Sequence, residues 1–463
     1  MKRNILLITT DTQRTDTLGC MGSSFAFSPH LDRMAREGVL FTQAHTVSPA
    51  CMPARCSLMS GQYPQLHGCV ENGISPRASM PFFTQNLKAL GYRNIMVGKT
   101  HFGDIPDSFD EVYAAKGEKD GVTRDEQSHT DSLICDRAIA SMENARQNAA
   151  PFFAFCSILS PHSPIDPPGR WANYYRQEDI PDARYHHREW ETLPDIIRSI
   201  CGIPNQAPDR TLDQRFIEAQ GNIAENLTDE EICTIKALYY GSAAYCDALV
   251  GRLLDYLDQS GLRENTLVIF TSDHGLQNFD HGFNDKHNYY DETLRIPFIM
   301  SMPGTLPEGK KYDFASTIDI ASSIVAAAGG HYCEGNGLDL FTPLAQGMAP
   351  PRNAAISISY QSMAVTTERW KLEYYLTDSL IRLFDRKNDP GELHNLALEE
   401  PAVKDKLLRI LLEWNAQLID VAGLKSALHP GGPVARRIAE HAQKLRGDAS
   451  DLWLKNIIKE CNL

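Results

Sequence analysis

Thr266-Leu-Val-Ile-Phe-Thr-Ser272-Asp273 is a short apolar run that ends on a carboxylate. The same form recurs upstream. Ile5-Leu-Leu-Ile-Thr-Thr10 leads to Asp11, Asn94-Ile-Met-Val-Gly98 leads to Lys99, and Phe152-Phe-Ala-Phe-Cys-Ser-Ile-Leu159 runs to the neighbourhood of His162. Helical stretches separate the runs, and strand–helix alternation of this kind predicts an α/β domain around a large, mostly parallel sheet flanked by helices. In such sheets ligands bind beyond the carboxyl ends of the strands. All four runs put a chemically useful residue there, so a single composite site is expected.

One scaffold helix is well marked. Thr228-Asp-Glu-Glu231 reads as a capping box, apolar residues follow at 232, 235, 238/239, 243, 246, 249/250, 253/254 and 257, and Gly261 supplies the stop. The chain changes character near Pro350-Pro351-Arg352. Beyond it, Ala355-Ile-Ser-Ile-Ser359 and Trp370-Lys-Leu-Glu-Tyr-Tyr-Leu376 predict strands of a smaller antiparallel sheet with a packed helix. The expected organisation is a catalytic α/β domain over 1–352, a small α+β subdomain over 353–425, and a polar helical tail over 426–463. The tail's Leu452-Trp-Leu454 and Ile457-Ile458 suit an arm for homo-oligomerisation. Residues 165–225 are rich in Pro, Trp, Tyr, His and charge with weak periodicity.

The 463 residues are 42% hydrophobic, which allows a large core and more than one domain. A formal charge of -14 argues against nucleic acid or a long polyanion as partner, so an anion site has to be a local basic pocket. Met1-Lys-Arg-Asn4 leads straight into Ile5–Ile8, too short for the apolar region of a signal peptide, and no apolar run is long enough to span a bilayer. Eleven scattered cysteines without paired C-x-x-C spacing suit a reducing compartment, so the expected location is cytoplasmic, away from membranes.

Cys51-Met-Pro53-Ala-Arg55-Cys-Ser-Leu-Met-Ser-Gly61 is the most informative local stretch. Pro53 suits a first helical turn, Ser48 is placed to cap the start, and Gly61 stands where a glycine would stop the helix. Residue 51 then lies just ahead of a helix N-terminus, where unpaired N–H groups favour an anion. Arg55, one turn on, adds a planar cationic fork suited to tetrahedral oxyanions.

This stretch resembles the C-x-P-[SA]-R signature of the sulfatase family, the formylglycine-dependent branch of the alkaline phosphatase superfamily. Further segments share the resemblance in the family's order: Thr10-Asp11-Thr-Gln-Arg14, Gly98-Lys99-Thr-His101-Phe-Gly103, Pro161-His162-Ser-Pro164, Thr271-Ser-Asp273-His274-Gly275, Asn284-Asp-Lys286-His287 with Tyr290–Pro297, and Arg382–Glu392. The resemblance implies an alkaline-phosphatase-like fold and hydrolysis of a sulfate ester. It implies that a formylglycine-generating maturation enzyme oxidises Cys51 to formylglycine (3-oxoalanine), whose hydrate attacks sulfur and later expels sulfate. Asp11, Asp273, His274 and residue 51 would hold one divalent cation. The family points to Ca²⁺, with Mn²⁺, Mg²⁺ or Zn²⁺ as alternatives given the imidazole. Many sulfatases carry a second carboxylate after the first; here that place is Thr12, and whether Thr12 or Gln13 coordinates is open. Lys99 and Arg55 would hold the ester oxygens, His101 would deprotonate the sulfated hydrate, and His162 and Lys286 would protonate the departing alkoxide. His281 and His287 flank Lys286 and either line the pocket or belong to an ordinary polar loop. The resemblance also implies that a stretch such as 165–225 caps the substrate pocket, and His186-His187 falls in this expected cap. The substrate expected is a small sulfated carbohydrate. The alternatives are a phosphonate monoester or phosphodiester, or choline sulfate, on the same machinery.

Overall fold

The computed structural model describes residues 2–115, 125–203, 222–427 and 449–461. Its main sheet has eight strands: β1 Asn4–Thr10, β2 Val39–His45, β3 Arg93–Gly98, β4 Glu111–Ala114, β5 Phe152–Ser157, β6 Thr266–Ser272, β7 Phe298–Ser301 and β8 Lys310–Ser316. Their order is β8-β2-β7-β6-β1-β5-β3-β4, parallel throughout except that β7 runs against both neighbours. The four apolar runs are therefore the contiguous block β6-β1-β5-β3. Their registers, Thr10 opposite Ser272, Thr9 opposite Ser157 and Gly98 opposite Ser157, bring the carboxyl ends level. Strand β1 is buried along its whole length, as a central parallel strand covered on both faces must be. Ile5 and Leu7 join one apolar core with Met52, Cys56, Met59 and Ile324, while Leu6 and Ile8 join another with Met34, Ala138, Leu249 and Leu253.

The scaffold helix forms as expected over Asp229–Gln259. Glu231 N donates to Thr228 Oγ1 (3.2 Å) and Thr228 N to Glu231 Oε2 (2.8 Å), completing the capping box. The Cys51 helix spans Cys51–Ser60, and Gly61 ends it in the left-handed region at φ 64°. Two expectations at its start are corrected. Ala50 occupies the cap position with no side-chain bond, and the Ser48 hydroxyl is buried with no hydrogen bond among the described residues. Cys51 is itself the first helical residue, not the residue before the helix.

Strands β9 Ala355–Ser359, β10 Ser362–Thr366, β11 Trp370–Tyr375 and β12 Leu380–Asp385 form the small antiparallel sheet. The helix Pro401–Ala427 packs on it through Leu407, Ile410, Leu411 and Trp414. Of the tail, residues 428–448 lie outside the described residues. The final helix Ala449–Glu460 buries Leu454 and Ile458 in this same core, so those two side chains face their own chain. The expected cap is irregular, a series of short 3₁₀ turns followed by the helix Asp195–Cys201; its residues 204–221 also lie outside the described residues.

Candidate active site and metal centre

Each strand of the central block hands one or two groups to the same place. Asp11 follows β1, Lys99 follows β3, His162 follows β5, and Asp273 and His274 follow β6. The turn into Lys99 requires glycine. Gly98 has φ 103°, and a Cβ there would stand 1.9 Å from the Ser157 carbonyl oxygen, the atom that accepts from Lys99 N at 3.0 Å. The Cys51 helix, entered from β2, adds Cys51 and Arg55, and the loop beyond His274 brings back Lys286.

Cys51 Sγ is the focus. His274 Nε2 and Lys286 Nζ each lie 3.1 Å from it, and Asp11 Oδ1 lies at 3.8 Å. Lys286 Nζ also reaches His162 Nε2 at 3.3 Å, and Lys99 Nζ pairs with Asp11 Oδ2 at 2.6 Å. Burial works against a Cys51 thiolate. Lys286, Lys99 and His274, with a hydrogen bond from His101, outweigh it and hold that thiol well below the usual cysteine range. Burial and the Cys51 charge likewise oppose ionisation of Asp11, yet Lys99, His162 and Arg55 hold it below the ordinary carboxylate range. Asp273 moves the other way, pushed up by burial and then by the Asp11 charge. The acidic chain thus contains the local basic pocket that its composition demanded.

Arg55 departs from expectation. Its guanidinium is buried, with Nε donating to Asp273 Oδ2 at 2.9 Å, Nη2 to Asp11 Oδ2 at 2.8 Å and Nη1 to Ser157 Oγ at 2.8 Å. The fork is engaged by the two carboxylates and Ser157. Ser157 was not anticipated, because nothing in a strand-end serine distinguishes it before the register is known. Asn72, whose Oδ1 accepts from Met52 N at 2.9 Å beside the focus, was missed for the same reason.

Asp11, Cys51, Asp273 and His274 are buried and offer ligand atoms that lie within 4.8 Å of one another. Two carboxylates and an imidazole suit a divalent cation. His274 Nδ1 donates to the Gly275 carbonyl at 2.9 Å, which leaves the lone pair on Nε2, the nitrogen facing the cluster. Of the two open positions, Thr12 donates its hydroxyl to the Asp11 carbonyl at 2.6 Å, whereas Gln13 Oε1 is buried without a hydrogen bond among the described residues. The free oxygen belongs to Gln13.

His281 is an ordinary structural residue. Its Nδ1 lies 2.7 Å from Glu189 Oε1 in the cap, its Nε2 lies 3.6 Å from Glu292 Oε2, and its ring stacks on Tyr290 at 3.5 Å. Burial lowers its pKa, but the two carboxylates prevail and raise it to about 9. The folded value exceeds the unfolded one, so this contribution to stability is complete below about pH 6.5 and is lost as pH rises through about 9. Its size is on the order of 3 kcal/mol, at about 1.4 kcal/mol per unit. His281→Gln is expected to lower Tm at pH 6 and to flatten its decline towards pH 9. An unchanged slope in a melting series across that range would refute this contribution of His281. His287 Nδ1 meets Glu71 Oε1 at 3.2 Å. His186 and His187 are exposed on the cap, His187 with an 82% accessible side chain, and the structure does not bring them to Cys51.

Residues 3–330 match the Sulfatase family, and residues 279–417 match a second family described as N-sulphoglucosamine sulphohydrolase, C-terminal. The N-acetylglucosamine-6-O-sulfatase of Bacteroides thetaiotaomicron is 26% identical, over 89% of this chain and 85% of its own length. Among solved structures, the phosphonate monoester hydrolase of Agrobacterium radiobacter superposes with a TM-score of 0.79 at 23% identity, covering 90% of this chain and 96% of that one. A protein solved with its substrate D-glucosamine-2-N,6-O-disulfate superposes at 0.78, also at 23% identity, covering 91% and 99%. At these identities the two structures establish the shared fold.

Proposed function

The chain belongs to the sulfatase family of sulfuric ester hydrolases, and from that premise we propose that it removes sulfate from a small sulfated carbohydrate, using a formylglycine made from Cys51 by a maturation enzyme. The observation that carries this reading is the convergence on residue 51, whose Sγ has His274 Nε2 and Lys286 Nζ both at 3.1 Å. In the mature protein the hydrate oxygens would project from the same Cβ as that sulfur. Asp11, Asp273 and His274 would hold one divalent cation, Ca²⁺ by family precedent, whose Lewis acidity favours an ionised hydroxyl at residue 51.

The chain's own side chains supply the rest. Lys99 Nζ is partly accessible and neutralises charge gathering on the ester oxygens. His101, hydrogen-bonded at residue 51, takes the proton whose loss releases sulfate. His162 is oriented by its Nδ1, which donates to the Ser163 carbonyl at 2.5 Å, so its Nε2 faces Lys286. That pair delivers a proton to the departing sugar oxygen, a poor leaving group without one. The amino-sugar sulfatase among the relatives and the sugar-bound structural neighbour support a sulfated amino sugar as substrate. The acidic chain favours a small ligand over a long polyanion. The scattered cysteines without paired C-x-x-C spacing support the cytoplasmic location also proposed here.

A phosphonate monoester is the competing substrate, because a hydrolase of that class shares the fold at a TM-score of 0.79. The two readings separate on matched aryl esters. With formylglycine content fixed by peptide mass, kcat/KM for 4-nitrophenyl sulfate is expected to exceed that for 4-nitrophenyl phenylphosphonate, and the reverse order would overturn the assignment.

A further inference from the structure

We propose that Asp291, gripped by Lys371, Arg386 and Glu392 of the C-terminal part of the chain, positions Lys286 over residue 51, which makes the small sheet part of the proton-delivery apparatus. The inference rests on the reading of Lys286 as a proton donor.

Lys286 sits on a strap that crosses the nucleophile. Just beyond it, His287 N donates to the Pro49 carbonyl at 3.3 Å, and Gln277 Nε2 ties Asn288 Oδ1 at 2.7 Å. The next three residues are all held from the small sheet. Tyr289 OH bonds Ser362 Oγ on β10 at 2.9 Å and accepts from Ser359 N on β9 at 2.8 Å. Tyr290 OH accepts from Arg382 Nη2 on β12 at 2.5 Å. Asp291 receives the strongest grip, taking Lys371 Nζ of β11 on Oδ1 at 2.5 Å and Arg386 Nη2 on Oδ2 at 2.8 Å. The Asp291 amide donates to Glu392 Oε2 at 2.8 Å.

Lys371 is fully buried and divides its ammonium among Asp291, Glu392 Oε1 at 2.6 Å and the Tyr289 carbonyl at 2.9 Å. That last bond fixes the backbone three residues from Lys286. Arg386 Nη2 also reaches Gln43 Oε1 on β2 at 2.7 Å, so the strap is clamped to both sheets. Apolar side chains would seal such a seam at no loss of stability, because buried ion pairs seldom repay their desolvation. What a directed charge network provides is position, and displacing a catalytic group by about 1 Å costs about 100-fold in rate.

The test compares Lys286→Ala, Lys371→Met and Asp291→Asn with the parent protein on 4-nitrophenyl sulfate and on glucosamine 6-sulfate. Nitrophenolate leaves without a proton and the sugar alkoxide does not, so loss of proton delivery appears as a bias between the substrates. Lys286→Ala is expected to lose about 100-fold or more on the sugar ester and under about tenfold on the aryl ester. Lys371→Met and Asp291→Asn are expected to show the same bias, roughly tenfold, at unchanged formylglycine content. A misfolded protein loses both activities alike; should Lys371→Met fail to fold by thermal melting, the isosteric Asp291→Asn carries the comparison. Equal losses on both esters in folded variants, beside a biased Lys286→Ala, would overturn the positioning role alone. An unbiased Lys286→Ala would overturn the proton-donor reading and this inference with it.

Discussion

Cys51→Ser protein is expected to release at most one equivalent of alcohol per chain from an aryl sulfate and then stop. A serine hydroxyl at position 51 meets the same His274 and Lys286 that lie 3.1 Å from the sulfur, so the first displacement retains its surroundings. The product is a sulfated serine. It has no second hydroxyl on the same carbon from which His101 could take a proton, so the route by which the hydrate expels sulfate is closed. Steady-state turnover should fall by about 1000-fold or more, about 4 kcal/mol in barrier. Product counting in a single-turnover experiment, with the mass of the peptide around residue 51, checks both halves. Sustained turnover by the serine variant would eliminate the formylglycine mechanism.

Arg55→Ala should have the second-largest effect, and on stability before rate. Removing this guanidinium leaves Asp11 and Asp273, both fully buried, without the charge that bridges them. Breaking a buried pair by deleting one partner costs about 3–5 kcal/mol. A divalent cation brings charge to the same two carboxylates, so part of the lost Tm should return on adding Ca²⁺ and vanish again with chelator. Arg55→Lys, which keeps the charge and loses the fork, should fall between the two. A melting temperature in Arg55→Ala that is indifferent to metal would show that Arg55 serves the ester and not the carboxylates.

Much of this architecture could be read from sequence because buried parallel strands announce themselves as apolar runs and their ends carry the chemistry. Thr266–Asp273 and Ile5–Asp11 needed only that rule, and the observed order places their strands side by side. Other strands were silent. Lys310–Ser316 opens with exposed lysines at the sheet edge, and Phe298–Ser301 has only four residues, directly after a proline. At the site, residue types were legible and directions were not. The spacing Cys51-x-Pro-x-Arg55 put a cation near the nucleophile, but which carboxylates the fork would meet depends on where β1 and β6 end relative to the helix. The Lys371–Asp291 contact joins residues 80 apart in sequence, and neither belongs to a local pattern that predicts the other.

All ten residues of Cys51–Ser60 are buried once the chain is folded. A small ester has only to bring one sulfate to residue 51. An enzyme that oxidises this cysteine must grip the peptide around it, and the finished molecule offers no such length of chain. On the mechanism proposed above, activity is therefore decided by a race during synthesis. Folding faster than oxidation seals in a thiol, and a later supply of the maturation enzyme reaches only chains that unfold. The active fraction of a preparation should then record conditions in the producing cell, set once for each molecule and carried unchanged through purification.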